Sequence, residues 1–334
     1  MRFGIFGSAQ AHGDALGPET GQGFHDHIDL AVEAEALGYH SSFLVEHHFS
    51  GWNQVSATLM LQTAVAMRTT TLRLGTAVIV LPWHNPILLA EQVATLDLLS
   101  GGRLDLGVGK GYRHNEFAGF CIPAEDAQAR FDESIAVMTR AWTSRTRFSH
   151  HGRAWQFEDI VVEPPPAQRP HPPLWVAAAS APSIRRAAEG GFNLLLDQYA
   201  SPAQISERIA LFRSVRQARG HRFDPLQVAV ARQLYVAHDK AEAEAALALQ
   251  ALVTRRIVDV SRTPGTTVAG SHVLSYAATP GATEANALYD TPERVADELH
   301  ALRRAGAEYV LLTTLGGAEQ LRRFAHEVMS SLPM

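Results

Sequence analysis

Cys121 is the only cysteine in the sequence. No intrachain disulfide and no multi-cysteine zinc or iron–sulfur site can form, and such a composition suits a reducing compartment. No run approaches the roughly 18 uninterrupted apolar residues of a membrane span. The opening MRFGIFGSAQ lacks the charged region, apolar stretch and cleavage site of a secretory leader. Basic residues are not in excess, since 29 Lys and Arg against 34 Asp and Glu leave a formal charge of -5. The few basic pairs, such as Arg185-Arg186 and Arg322-Arg323, read as solvated helix positions and supply no stripe for nucleic acid or an acidic membrane. Also missing are the GxGxxG dinucleotide turn and the GxxxxGK[ST] phosphate loop. These absences predict a soluble cytoplasmic protein with no nucleic-acid or membrane partner and no nicotinamide fingerprint of its own.

Short apolar runs that alternate with segments of helical period are plentiful. Strands are expected at Arg2–Gly7, Ser41–Glu46, Leu72–Val80, Leu104–Gly109, Leu174–Ala179, Asn193–Asp197, Gln227–Ala237 and Tyr309–Leu315. Helices are expected between them, including Val55–Met67, Ile87–Leu99, Ala127–Ser144 and Lys240–Val260. Strands such as Phe3–Phe6 and Leu194–Leu196 are apolar throughout, as in a parallel sheet covered on both faces. Eight such units closed into a ring give a single (β/α)8 TIM barrel over residues 1–334. Two insertions interrupt it. Phe148–Val162, followed by the proline-rich Pro164–Pro173, reads as a hairpin and linker after strand four. Ser261–Tyr289, rich in Gly, Thr, Ser and Ala, reads as a lid or as a disordered insertion near strand seven and its helix.

In a barrel the reacting groups sit at the carboxyl ends of the strands. Those positions hold Gly7-Ser8, Glu46-His47-His48, Ala77-Val78, Lys110-Gly111-Tyr112, Ser180 and Asp197-Gln198. The Gly and Ala among them leave room for a flat ligand. GVGKGYRHNEF could cradle an anion through backbone N–H groups with help from Lys110, or could simply be a tight strand-to-helix turn. Adjacent strand residues face opposite ways, so His47 and His48 do not easily share one metal ion. His25-Asp26-His27 lies in a helix-period segment, where residues two apart diverge as well. No metal site is expected.

Taken together, EHHF after strand two, GTAVIVLPWHNP after strand three, GRLDLGVGKGY through strand four, VAAASAPS at strand five and the TPERV…AGAEYVLL close resemble the flavin-dependent monooxygenases of the bacterial luciferase family. The resemblance implies a barrel that binds FMN, reduced by a separate reductase, and oxygenates a small apolar organic substrate with O2 through a C4a-hydroperoxide. It implies His47 as the catalytic acid–base group, whose pKa range suits the role, with Glu46 on the flavin side of the pocket. It further implies a non-prolyl cis bond at Ala77-Val78 under the flavin ring. Lys110, Arg130, Ser180 and Ser183 become the phosphate set, the serines at a helix N-terminus. Family dimers associate through the helices expected at Val55–Met67 and Ile87–Leu99, so a homodimer is expected. Ala179, Gly109 and Asn85 stand where luciferase has a glutamate, a reactive cysteine and a histidine, so light emission is not expected. Deazaflavin-dependent oxidoreductases and non-catalytic flavin-binding barrels share the fold and remain the alternatives.

Overall fold

Eight short parallel strands pair in a ring in the computed structural model, which describes residues 1–11, 21–261, 281 and 284–332. The ring runs β1 (Arg2–Gly7), β2 (Ser41–Leu44), β3 (Arg73–Thr76), β5 (Leu104–Gly109), β8 (Leu174–Ala177), β9 (Asn193–Leu196), β10 (Val228–Val236) and β12 (Tyr309–Thr314). Pairing of Gly4 with Leu311 and of Val230 with Leu196 closes it. This is a (β/α)8 TIM barrel. The period of two sends Phe3 and Ile5 out to the helices, where they join the large core, while Phe43, Trp175, Leu195, Tyr309 and Leu311 fill the interior.

The barrel's amino end is sealed. Phe43, Trp175 and Tyr309 meet edge to face with ring centroids 5.9–6.4 Å apart. Beneath them Arg73 grips Asp105 through two hydrogen bonds of 2.5 and 2.9 Å, and the Trp175 indole donates to the same carboxylate. Gly75 makes room for the plug, because a Cβ there would collide with the Phe43 ring.

The carboxyl end is open. Among the inward-facing positions Ala77, Ala177 and Ala231 are small, with Leu195 and Leu311 in register beside the last two and Phe6 packed against the same interior. Ala177 is exposed although it ends a central strand, and a Cβ on Gly7 would meet nothing within 4 Å.

The stretch Leu72–Val80, expected as one strand, is two. Between the pairs Gly75↔Asp105 and Ile79↔Val108 the chain advances four residues while β5 advances three, so one residue bulges out. The Ala77–Val78 peptide bond inside this bulge is cis. The Thr76 hydroxyl covers the lost backbone pairing, donating to the Gly107 carbonyl at 2.7 Å and accepting its N–H at 2.9 Å. Past the bulge, β4 (Ile79–Val80) rejoins β5.

Several helices begin where sequence chemistry sets them. Asn85, Ser180 and Ser201 cap α3 (Pro86–Leu99), α6 (Ala181–Glu189) and α7 (Pro202–Ala218), each with proline in the first two helical positions. The helix expected from Val55 starts instead as α2 (Thr58–Arg68), because the Val55 carbonyl, which would accept a first helical hydrogen bond, is taken by the His47 N–H. The insertion after the fourth barrel strand contains the hairpin β6 (Phe148–His151) and β7 (Gln156–Ile160). The lid expectation falls mostly on residues 262–280 and 282–283, outside the described residues. Its end is ordered structure, with β11 (Leu288–Asp290) adding to β10. Among the described residues, no helix is long and apolar enough to cross a membrane.

Candidate active site

Strand β2 ends at Leu44, two residues before the expected end. Its ladder runs one residue further, with the Val45 N–H on the Gly7 carbonyl, and then the Thr58 hydroxyl takes the Val45 carbonyl. Freed from the sheet, Glu46, His47 and His48 can turn to different partners.

Glu46 turns inward, with 2% of its surface exposed. Oε1 accepts hydrogen bonds from Nε2 of both His48 (2.9 Å) and His84 (2.7 Å), and Oε2 accepts the Val80 N–H at 2.7 Å. Burial pushes the carboxyl pKa up, but the hydrogen bonds from His48, His84 and Val80 together outweigh it and hold the group below its ordinary value. Glu46 is therefore a buried carboxylate that fixes two imidazoles and the strand just past the cis bond.

His47 turns to a different carboxylate. Its Nδ1 lies 3.1 Å from Oε1 of Glu116, which also accepts the His48 backbone N–H at 2.9 Å. Glu116 sits in a short helix, α4 (His114–Gly119), that follows the glycine-rich turn after β5. The turn requires glycine at 111, where φ is +79° and a Cβ would lie 2.8 Å from Trp83 and Val80. Burial is the main cause of a His47 pKa below the usual 6.5, with Glu116 pulling the other way. The His47 side chain is 15% exposed.

At the neighbouring strand ends, Lys110 is exposed just beyond β5, and Ser180 follows the adjacent β8. Arg130, in the first turn of α5 (Ala127–Thr143), donates to the Pro82 carbonyl at 3.2 Å and lies over the Trp155 ring. The Ser180 and Ser183 hydroxyls are 2.9 Å apart, and the Ser183 N–H already points to Ser180 Oγ. Pro182 has no N–H, so this helix start offers fewer donors than a typical one. Gly109 has a packing reason to lack a side chain: a Cβ would stand 2.5 Å from Cγ2 of Val78, across the cis bond.

The family model described as luciferase-like monooxygenase matches residues 1–309. The chain belongs to this family. Two uncharacterized proteins of Sinorhizobium fredii are 32% and 33% identical to it, and the match spans only 61% and 60% of their lengths. The oxygenase component of a flavin-dependent trigonelline monooxygenase from Acinetobacter baylyi is 28% identical, over 74% of this chain and 68% of that one. An FMNH2-dependent dimethylsulfone monooxygenase from Pseudomonas putida is 26% identical over 90% and 85%. Among solved structures, the monooxygenase RslO1 of Streptomyces bottropensis superposes with a TM-score of 0.81 at 26% identity, covering 99% of both chains. An F420-dependent secondary alcohol dehydrogenase superposes with a TM-score of 0.78 at 18% identity over 99% of both, which establishes a shared fold alone.

Within this luciferase-like chain, three site residues escape sequence reasoning. His84 lies in the quoted GTAVIVLPWHNP stretch without being singled out, and Arg113 and Glu116 lie in GVGKGYRHNEF, where glycine density drew attention to the turn. The spacing Arg113-x-x-Glu116, one helical turn, is the signal that could have found the last two.

Proposed function

We propose that this chain is the oxygenase of a two-component, FMN-dependent monooxygenase that acts on a small organic substrate. The observation that carries this reading is the open barrel mouth. Its lining includes the small residues Ala77, Gly109, Ala177 and Ala231 beside Leu195 and Leu311, the cis Ala77–Val78 bond follows its third strand, and the His47 imidazole, 15% exposed, follows its second. The small side chains fit a planar ring system, and the cation of Lys110 with the Ser180–Ser183 helix start fits a terminal phosphate. Arg130 would join the phosphate set with the donors that Pro82 leaves free. When bound, reduced FMN supplies two electrons to O2, so that one oxygen atom reaches the substrate and the other leaves as water.

The protein's own part is to bind, orient and handle protons. Glu46, its oxygens already taken by His48, His84 and Val80, shapes the flavin platform from behind. His47 holds or releases a proton at its second ring nitrogen, Nε2, for which no protein partner exists among the described residues. Electrons would come from a separate reductase, since the chain carries no nicotinamide-binding turn. A homodimer through α2 and α3 completes the reading. Met60, Met67, Leu88 and Leu99 of these helices are 51–76% exposed, an apolar face that a second copy would cover.

The family's deazaflavin relatives define the second reading. Anaerobic titration with reduced FMN and, separately, with reduced deazaflavin, followed by mixing with O2, distinguishes the two. Tight binding of reduced FMN and oxygen-dependent reoxidation support the proposal. Binding of the deazaflavin alone would replace it.

A further inference from the structure

Glu116 stands out among buried groups to which no role has been given. It is 2% exposed, more than sixty residues from His47 in sequence, and yet one of its oxygens meets both the His47 ring and the His48 backbone. A carboxylate is retained in such a place only if its lone pairs and charge are matched. The match comes from two N–H groups and from Arg113, also 2% exposed, whose Nη1 is 3.9 Å from Glu116 Oε1. Nε and Nη1 of Arg113 have no hydrogen-bond partner among the described residues. The guanidinium thus serves Glu116 as a charge rather than through a hydrogen bond.

We propose that Glu116 is the positioning residue of His47: it takes the proton-bearing Nδ1 of the ring, fixes the tautomer and presents Nε2 as the proton-accepting atom. This rests on the reading of His47 as the acid–base group. An ionised carboxylate can only accept, so the nitrogen facing it must carry hydrogen. The neutral imidazole has one N–H, which leaves the lone pair on Nε2. The groups that face His47 are Glu116 and Arg113 at the start of α4 and Glu46 from its own loop. Arg113 opposes protonation while both carboxylates favour it. With burial added, the resting ring is neutral and ready to accept a proton. The His48 backbone N–H on the same oxygen ties Glu116 to the loop that carries the ring, so the carboxylate is held beside His47 by a bond that does not depend on the ring.

The test reads His47 directly, in the full chain without flavin, by nitrogen-15 histidine NMR with the signal assigned through His47→Gln. Wild type should show the neutral Nδ1–H tautomer. Glu116→Gln keeps an oxygen that accepts both N–H groups, so it should keep that tautomer while His47 titrates about one pH unit lower, having lost an attractive charge. Glu116→Ala should mix the tautomers. A neutral wild-type ring protonated at Nε2 would overturn the proposal, as would a Glu116→Gln titration superimposable on wild type. Because no flavin is used, failure of reduced FMN to bind would sink the functional reading and leave this result standing.

Discussion

Oε2 of Glu46 accepts the Val80 backbone N–H at 2.7 Å, two residues beyond the cis bond in the barrel mouth. The same carboxylate holds His48 and His84, so one buried charge ties its own loop to the stretch from Val80 to His84. Glu46→Gln would set an amide N–H2 against groups that also donate. It should lower stability by about 3 kcal/mol, since each charge-assisted hydrogen bond contributes about 1.5–3 kcal/mol. Urea unfolding at neutral pH measures this. Net hydrogen bonding keeps the folded Glu46 pKa below 4.5. Its contribution is therefore complete above that value and fades as pH falls through the lower folded value. The gap between wild type and Glu46→Gln should stay constant from pH 8 to 6 and narrow only in acid.

Gly109 and Val78 should be coupled. Gly109→Ala puts a methyl group 2.5 Å from Val78 Cγ2 and should cost about 1–3 kcal/mol as overpacking, measured by thermal denaturation. Val78→Ala added to it should restore part of the loss. Additive losses in the double variant would mean that the two side chains do not compete for one space.

Lys110→Ala should weaken binding of reduced FMN about tenfold or more, in line with about 1.5–3 kcal/mol for a charge-assisted contact, and should barely change riboflavin binding. Equal losses for the two ligands, measured by anaerobic fluorescence titration, would remove Lys110 from the phosphate set.

The apolar face of α2 and α3 makes a prediction about association. Met60 is 76% exposed and Met67 66%. Wild type should scatter light as a dimer at micromolar concentration, and Met60→Glu with Met67→Glu should shift it to monomer while leaving the circular dichroism spectrum intact. A wild-type monomer would contradict the proposed homodimer.

Purified protein with FMN and NAD(P)H should consume almost no nicotinamide until a flavin reductase is added, in a spectrophotometric assay at 340 nm. Rapid turnover without reductase would show that the chain reduces flavin itself.

The barrel was legible because its signals are local. Runs such as Phe3–Phe6 and Leu194–Leu196 state their burial on both faces, and Asn85-Pro86 and Ser201-Pro202 announce helix starts. The position of Glu46, His47 and His48 at a strand end was legible as well, but their partners were not. Glu116 and His84 reach the triplet across 69 and 38 positions of sequence, and a six-residue helix such as α4 is too short to leave a periodic trace. The break of Leu72–Val80 into two strands was hidden too, since an apolar run reads the same with or without a bulge. Likewise β11, three residues long, was lost in a segment read as aperiodic.

Among the described residues, the plug of Phe43, Trp175 and Tyr309 over the Arg73–Asp105 pair closes the amino end of the barrel and leaves the carboxyl end as its way in. Whatever binds at the floor of the mouth must come and go through the opening that any later guest also uses. Two ligands layered there obey a stack's rule: the first to arrive is the last to depart. Arrival order then becomes a kinetic property written into the far end of the barrel, in side chains that touch neither ligand.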